Sequence, residues 1–364
     1  MKQYFKHLGL LGVTAAAAIA VSGAADAVTI KGKDITLRIG SGHPPFITYV
    51  KHMGKTFAPN VVRRVAAETS YKIKFKEHYT GTVVNVFDTL EGVQDGRLDV
   101  GGWCVCFDDD KALALNLTYY VPFHHPNAIV NREIFKSLIA KHPDIKKDLS
   151  GRYNQTVIGV TGFNNYGLLT AFQWSKFSDL KNRKILAAGP NLPWVVAGIP
   201  VRTTIPKAPQ QMQTGVGEGI ILFPDTDYKL KLHEASRGGQ YTLTDFGAVV
   251  QIMLTINNRT RKRLPPEVLK IIDEEGIVYG KTASKASFDD HEWGIKKLKE
   301  AGIKIVKIAP AAKKAWAQKL ANWPQQRANA VKAKKKVNMA AMMNDFIAMT
   351  KAKGHSFPID YKIK

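Results

Sequence analysis

Cys104 and Cys106 are the only two cysteines in the 364 residues, and a single residue separates them. Such a pair can form a bridge, stay as two thiols, or supply part of a metal site. A bridge needs the two Cα atoms close together inside what reads as an extended run, which is awkward geometry. A metal needs further His or Cys at ligand spacing, and His124-His125 is the only pair nearby. The pattern leaves two semi-buried thiols or a strained, reducible disulfide, and predicts no metal. Asp108-Asp109-Asp110 offers oxygen ligands for calcium but lacks the Gly and the terminal Glu of an EF-hand loop, so it reads as a solvated loop. No nucleophile elbow, H-E-x-x-H helix or phosphate loop is present. The sequence therefore predicts neither a catalytic group nor a cofactor.

The elements that would position a binding site alternate between strand and helix. Ile35 to Ile39 (ITLRI) is β-branched and alternating, and Gly40 to Phe46 (GSGHPPF) breaks it sharply, as the wall of a ligand cleft would. Tyr49 to Thr69 is helix-compatible, and Tyr71 to His78 alternates apolar with charged residues. Phe87 to Arg97 reads as a short helix capped by Asp95-Gly96, followed by a strand from Leu98 to Trp103. Asn131 to Leu149 reads as a helix interrupted at Pro143. The stretch from Leu180 to Pro224 repeats the alternation: a strand at Lys184 to Ala187, a loop carrying Trp194, a helix from Ala208 to Thr214 ended by Gly215, and a buried strand at Gly219 to Phe223. Such units build parallel sheets whose ligands sit at the carboxyl ends of the strands. The fold class expected is α/β.

The first 27 residues carry Lys2, Lys6 and His7 ahead of an apolar run, Leu8 to Val21, and end in Ala25-Asp26-Ala27. That is the layout of a cleavable secretory signal, and the run falls short of the roughly 20 residues that span a bilayer. The chain is expected to be exported to the periplasm. Its formal net charge is +23, which suits anionic solutes, an anionic membrane or an acidic partner. The Lys and Arg residues are spread along the whole chain, and no zinc-finger, RRM or helix-turn-helix signature accompanies them, so no nucleic-acid partner is expected.

Several runs together resemble the substrate-binding (DctP-like) proteins of the tripartite ATP-independent periplasmic (TRAP) transporters. They are Leu180-Lys181, Lys184-Ile185, Pro200-Val201, and Gln213-Thr214-Gly215-Val216-Gly217-Glu218-Gly219. Gly96 to Gly101 (GRLDVG) and Leu117 to Phe123 (LTYYVPF) add to the likeness, which covers about Ile35 to Thr350. The resemblance implies the two-lobed periplasmic binding fold with two hinge strands, at Thr156 to Thr161 and Val249 to Ile256, and a helical C-terminal segment. Residues 28–155 would form the first lobe, with about 250–295 returning to it. Residues 156–249 would form the second, with about 296–350 returning to it, and 351–364 would be a tail. It also implies a receptor that captures a small organic solute, often a carboxylate, and hands it to the TRAP permease membrane subunits. A binding protein of similar fold serving an ATP-driven importer or a sensor, and an exported enzyme, are the alternatives.

Such receptors clamp a solute carboxylate with arginines, because a guanidinium offers a planar fork of donors. The resemblance places those arginines at Leu186 and Asn164, so both are absent here. Glu218 stands where the family keeps an Asp and reads as a structural brace. The matching site positions are Asn164, Tyr166, Leu186, Asn191, Trp194, Phe223 and Asp225, with His43, Phe46, Trp103 and Phe107 from the first lobe. Trp103 and Trp194 either line this pocket or fill the lobe cores. Arg152, Arg202 or His43 could supply a cation. A pocket of aromatic and amide groups suits a larger or flatter solute than a compact dicarboxylate, such as an aromatic acid or a less charged solute.

Overall fold

The computed structural model describes residues 28–108, 110–335 and 337–364; the expected signal segment and Asp109 lie outside them. Among the described residues the strands are β1 (Thr29–Lys31), β2 (Asp34–Gly40), β3 (Lys72–His78), β4 (Val100–Cys104), β5 (Gln155–Asn165) and β6 (Gly167–Thr170). They continue with β7 (Lys184–Ala187), β8 (Ile199–Arg202), β9 (Gly219–Leu222), β10 (Gln240–Leu243), β11 (Ala248–Asn257) and β12 (Lys304–Lys307). They form two sheets. One runs β1-β2-β4-β11-β5 with β3 on the flank of β2, and the other runs β12-β10-β6-β9-β7-β8. Each sheet carries helices and belongs to one lobe of an α/β fold.

Alternation decides which faces are buried. In β2 the side chains of Ile35, Leu37 and Ile39 are buried while Thr36 and Arg38 are not, as a strand with one covered face requires. In β11 every residue is buried, and its run of Val, Ile, Met and Leu lies between β4 and β5. Among the described residues the chain passes between the sheets three times: once by way of the helix Pro266–Glu300, which lies between β11 and β12, and twice directly from strand to strand. β5 passes into β6 through Tyr166 alone, and β10 returns to β11 through Thr244–Gly247. These crossing strands pair with each other, antiparallel, from Ala248↔Asn165 to Asn257↔Gln155.

A single helix, Pro266–Glu300, braces both lobes. Pro266 opens it at a position where a missing N–H costs nothing. Gly276 and Gly280 lie one turn apart on the face toward β5, where a Cβ would collide with the carbonyls of Ile158 and Val160. Two glycines inside a helix cost about 1 kcal/mol each relative to alanine, and this close approach accounts for them. Further along, Gly294 lies against the backbone of Pro224 and Asp225 in the second lobe.

The helix expected over Tyr49 to Thr69 is interrupted: Thr48–His52 and Ala58–Glu68 flank a wide π turn, Met53–Phe57. Pro59, in the first turn of the second piece, has no N–H to offer the carbonyl four residues back, so the ladder opens there. The C-terminal segment is helical, with Pro310–Lys319, Trp323–Lys335 and Met339–Ala352. The last two pack on each other, and the final helix also packs on Ala128–Lys141 beside the first sheet. No helix among the described residues is long and apolar enough to cross a membrane.

Candidate functional site

The break after β2 and the helix after β9 face each other across a cavity of about 460 Å³. Phe46, Ile47 and Thr48 come from the first lobe and Phe163 from the crossing strand β5, while Ile205, Asp225, Thr226, Lys229 and Leu230 come from the second lobe. Phe46 is 64% exposed, so an aromatic ring stands in the mouth. Opposite it, Pro224 opens the helix Pro224–Lys229, which sets Asp225 and Lys229 four residues apart on one face.

Those two residues anchor a polar cluster. Lys229 Nζ donates to Asp225 Oδ2 at 2.9 Å and lies 3.9 Å from Asp290 Oδ2 on the long helix. The Thr48 hydroxyl donates to the same Asp290 carboxylate. Asn164 Nδ2 donates to Asp225 Oδ1 at 2.6 Å. Burial pushes the Asp225 carboxyl above its usual range, against the opposing pull of Lys229. Asp227 on the same helix is fully buried, neither carboxylate oxygen has a partner, and burial holds it well above the usual range.

Behind Phe163 lies a continuous aromatic wall. The Phe163 and Phe223 rings are 5.0 Å apart, Phe223 and Tyr166 are 4.1 Å apart, and Tyr166 stands edge-on to Trp194 at 5.5 Å. Edge-on and offset geometries of this kind add to the stabilisation from burial alone. The Tyr166 hydroxyl lies 3.0 Å from that of Tyr119, which donates to Gln251.

The structure separates the expected site residues into groups. Phe46 and Asp225 line the cavity, and Asn164, Tyr166 and Phe223 stand immediately behind it. His43 and Phe107 form a neighbouring patch of the first lobe, with ring centroids 5.5 Å apart and Phe87 edge-on to Phe107. His43 Nδ1 is 2.7 Å from the Tyr49 hydroxyl, and burial lowers its pKa to about 4, which keeps the imidazole neutral at ordinary pH. Trp103 fills the first lobe's core, its indole N–H bound to Thr255 Oγ1 at 3.0 Å. Trp194 is fully buried between the lobes, stacked on Phe246 at 4.8 Å, with its indole N–H on the Tyr119 carbonyl at 3.1 Å. Asn191 is buried and reaches the Ile221 carbonyl at 3.4 Å. Leu186 is fully buried and packs on Gly217, away from the cavity.

Arg152 is exposed and pairs with Asp148 at 3.5 Å, and Arg202 is exposed at the end of the edge strand β8. Lys229 is the cation that lines the cavity. The Asp225-to-Lys229 spacing directly after Pro224 was the available signal for it; Asp290, distant in the chain, had none.

The cysteine pair takes one of the two states left open by the sequence, and the aspartate run departs from its expectation. Cys104 and Cys106 form a disulfide with a Cα–Cα separation of 5.1 Å. The extended run ends at Cys104, and the tight turn Val105–Phe107 brings the two together. Asp108 is buried rather than solvated, held by Lys111 Nζ at 3.1 Å, while the exposed Asp110 pairs with Lys334 at 2.7 Å. Glu218 braces the second lobe, accepting from Arg183 Nη1 at 2.7 Å and from the Lys184 N–H at 3.0 Å. Among the described residues no group of three or more His, Cys, Asp or Glu is placed to hold a metal ion.

The fold matches solved receptors closely in shape and distantly in sequence. A TRAP periplasmic solute-binding protein from Desulfovibrio salexigens, an open complex with the C-terminus of a symmetry mate in its ligand-binding site, superposes with a TM-score of 0.75 at 20% identity. The match covers 88% of this chain and 97% of that one. A TRAP solute-binding protein from Rhodoferax ferrireducens in complex with copurified benzoate gives 0.74 at 17%, covering 88% and 98%. One from Bordetella bronchiseptica with bound (R)- and (S)-mandelate gives 0.72 at 19%, covering 87% and 99%. A search among curated protein sequences finds no match. The profile described as bacterial extracellular solute-binding protein, family 7 (DctP), matches residues 51–329, and the chain belongs to that family.

Proposed function

We propose that the chain is an extracytoplasmic receptor that captures a small organic acid, with room for an aromatic ring, between its lobes and delivers it to a TRAP permease. The observation that carries this reading is the cavity of about 460 Å³ lined from both lobes. Its volume falls in the range of small-molecule sites. Phe46 and Phe163 on its wall, with Phe223 and Tyr166 behind, supply apolar faces for a ring, and burying such a surface is worth roughly 25 cal/mol per Å². Asn164, His43 and Phe107 belong to the same binding surface, and β5 and β11 act as the hinge strands on which the lobes close. Residues 1–27 serve as the export signal, cleaved after Ala27, and the receptor binds its solute without turning it over. Mass spectrometry of the compound released from protein purified out of the native periplasm tests the reading: a stoichiometric small organic acid supports it, and a chemically altered product released on incubation would point to an enzyme.

A further inference from the structure

The fixed charges at the cavity, Asp225 and Lys229 on its wall with Asp290 reaching Lys229 from the long helix, do not match a solute that is only an acid. Asp225 and Asp290 flank Lys229 at 2.9 and 3.9 Å, so two carboxylates meet one ammonium. A lone carboxylate entering beside them adds negative charge to a partly desolvated cleft that already holds an excess, which is costly. A second observation points the same way. As a carboxylate paired with Lys229 at 2.9 Å, Asp225 accepts from Asn164, so the side-chain amide of Asn164 is oriented with its nitrogen toward Asp225. Its carbonyl oxygen is then left without a donor, on a residue only 2% exposed. The cluster offers acceptors for a donor group that the protein itself does not supply.

We propose, resting on the receptor reading above, that the solute is an α-amino-acid-like zwitterion with an apolar or aromatic side chain. Its ammonium is taken by Asp225, Asp290 and Asn164 Oδ1, and its carboxylate by Lys229 Nζ. The side chain lies against Phe46 and Phe163. One ammonium and one carboxylate on the same carbon enter without changing the net charge of the cluster. The ammonium meets the surplus of acceptors that a simple acid would leave unsatisfied.

The test is calorimetric titration of the ligand-free mature chain with L-phenylalanine, 3-phenylpropionate, which lacks the amine, and phenethylamine, which lacks the carboxylate. L-Phenylalanine is expected to bind at least about tenfold more tightly than either. Asp225→Asn should erase its advantage over 3-phenylpropionate. Lys229→Met should weaken both carboxylate-bearing compounds and spare phenethylamine, which provides a second reading should the first variant fold poorly. If 3-phenylpropionate binds as tightly as L-phenylalanine, this inference is overturned and the receptor reading stands. If none of the three binds, the co-purified compound decides: an amino-bearing acid supports the inference, an acid without an amine overturns it alone, and the absence of any bound solute overturns both.

Discussion

Asn164 and Asp225, sixty-one residues apart, meet at 2.6 Å behind the cavity wall that Asp225 helps to form, one on a strand that crosses between lobes and the other on a helix of the second lobe. The contact ties the crossing strand to the wall opposite Phe46. It also occupies the place where the family resemblance would put a carboxylate-clamping arginine. The amide cannot serve as such a clamp while its nitrogen is held by Asp225.

Leu186→Arg, the substitution that restores the other arginine implied by the family resemblance, should destabilise the fold without improving binding of compact dicarboxylates. Leu186 is fully buried and faces Gly217, so a guanidinium there is overpacked and unpaired, at a cost of about 3 kcal/mol or more. Urea unfolding monitored by tryptophan fluorescence checks the stability, and succinate titration checks the function. A stable variant with tightened succinate binding would show that the side chain reaches the cleft.

Asp227→Asn should raise the melting temperature by a few degrees at pH 7 and by less at pH 4. Burial without a partner raises the folded-state pKa of Asp227 well above the ordinary carboxylate value. Its contribution is therefore fully present below the unfolded pKa of about 3.9 and is lost as pH rises through the folded pKa. Comparing the two proteins at each pH cancels the other titrating groups. An equal gain at both pH values would mean that Asp227 is not the group responsible.

Much of this fold is legible because β-branched runs and turn residues act locally. Ile35 to Ile39, Thr156 to Thr161 and Val249 to Ile256 all fall inside observed strands. The site is less legible because it is assembled from distant residues. Trp103 and Trp194 carry the same ring wherever they point, and only the tertiary contacts with Thr255 and Tyr119 assign them to buried positions. Lys229 depends on a six-residue helix with no periodicity long enough to read, and Asp290 reaches the cluster only because the long helix passes both lobes. The disulfide depended on a turn at Val105 inside a run that reads as extended.

Replacing Cys104 and Cys106 together with Ser should leave solute affinity within about tenfold, or 1.4 kcal/mol, since the bridge closes a turn beside the His43 and Phe107 patch and neither sulfur lines the cavity. Alkylation of the unreduced protein should label neither cysteine. A larger affinity loss would assign the turn a direct part in the site, and labelling would show the thiols to be free.

Saturating solute should reduce the radius of gyration, because β5 and β11 are paired along their length and lead into separate sheets, the arrangement of a hinge. Small-angle scattering with and without solute reads this directly. Unchanged dimensions would argue for a rigid, preformed site.

The central claim is that solute is held in the cavity between Phe46 and Asp225, and the most direct measurement is calorimetric titration of the co-purified compound into the wild type, Phe163→Ala and Asp225→Ala. The account predicts one site per chain in the wild type and a loss of at least about tenfold, roughly 1.4 kcal/mol, in each variant that keeps its native far-ultraviolet circular dichroism. Undiminished affinity in both folded variants would place the solute elsewhere and contradict the account.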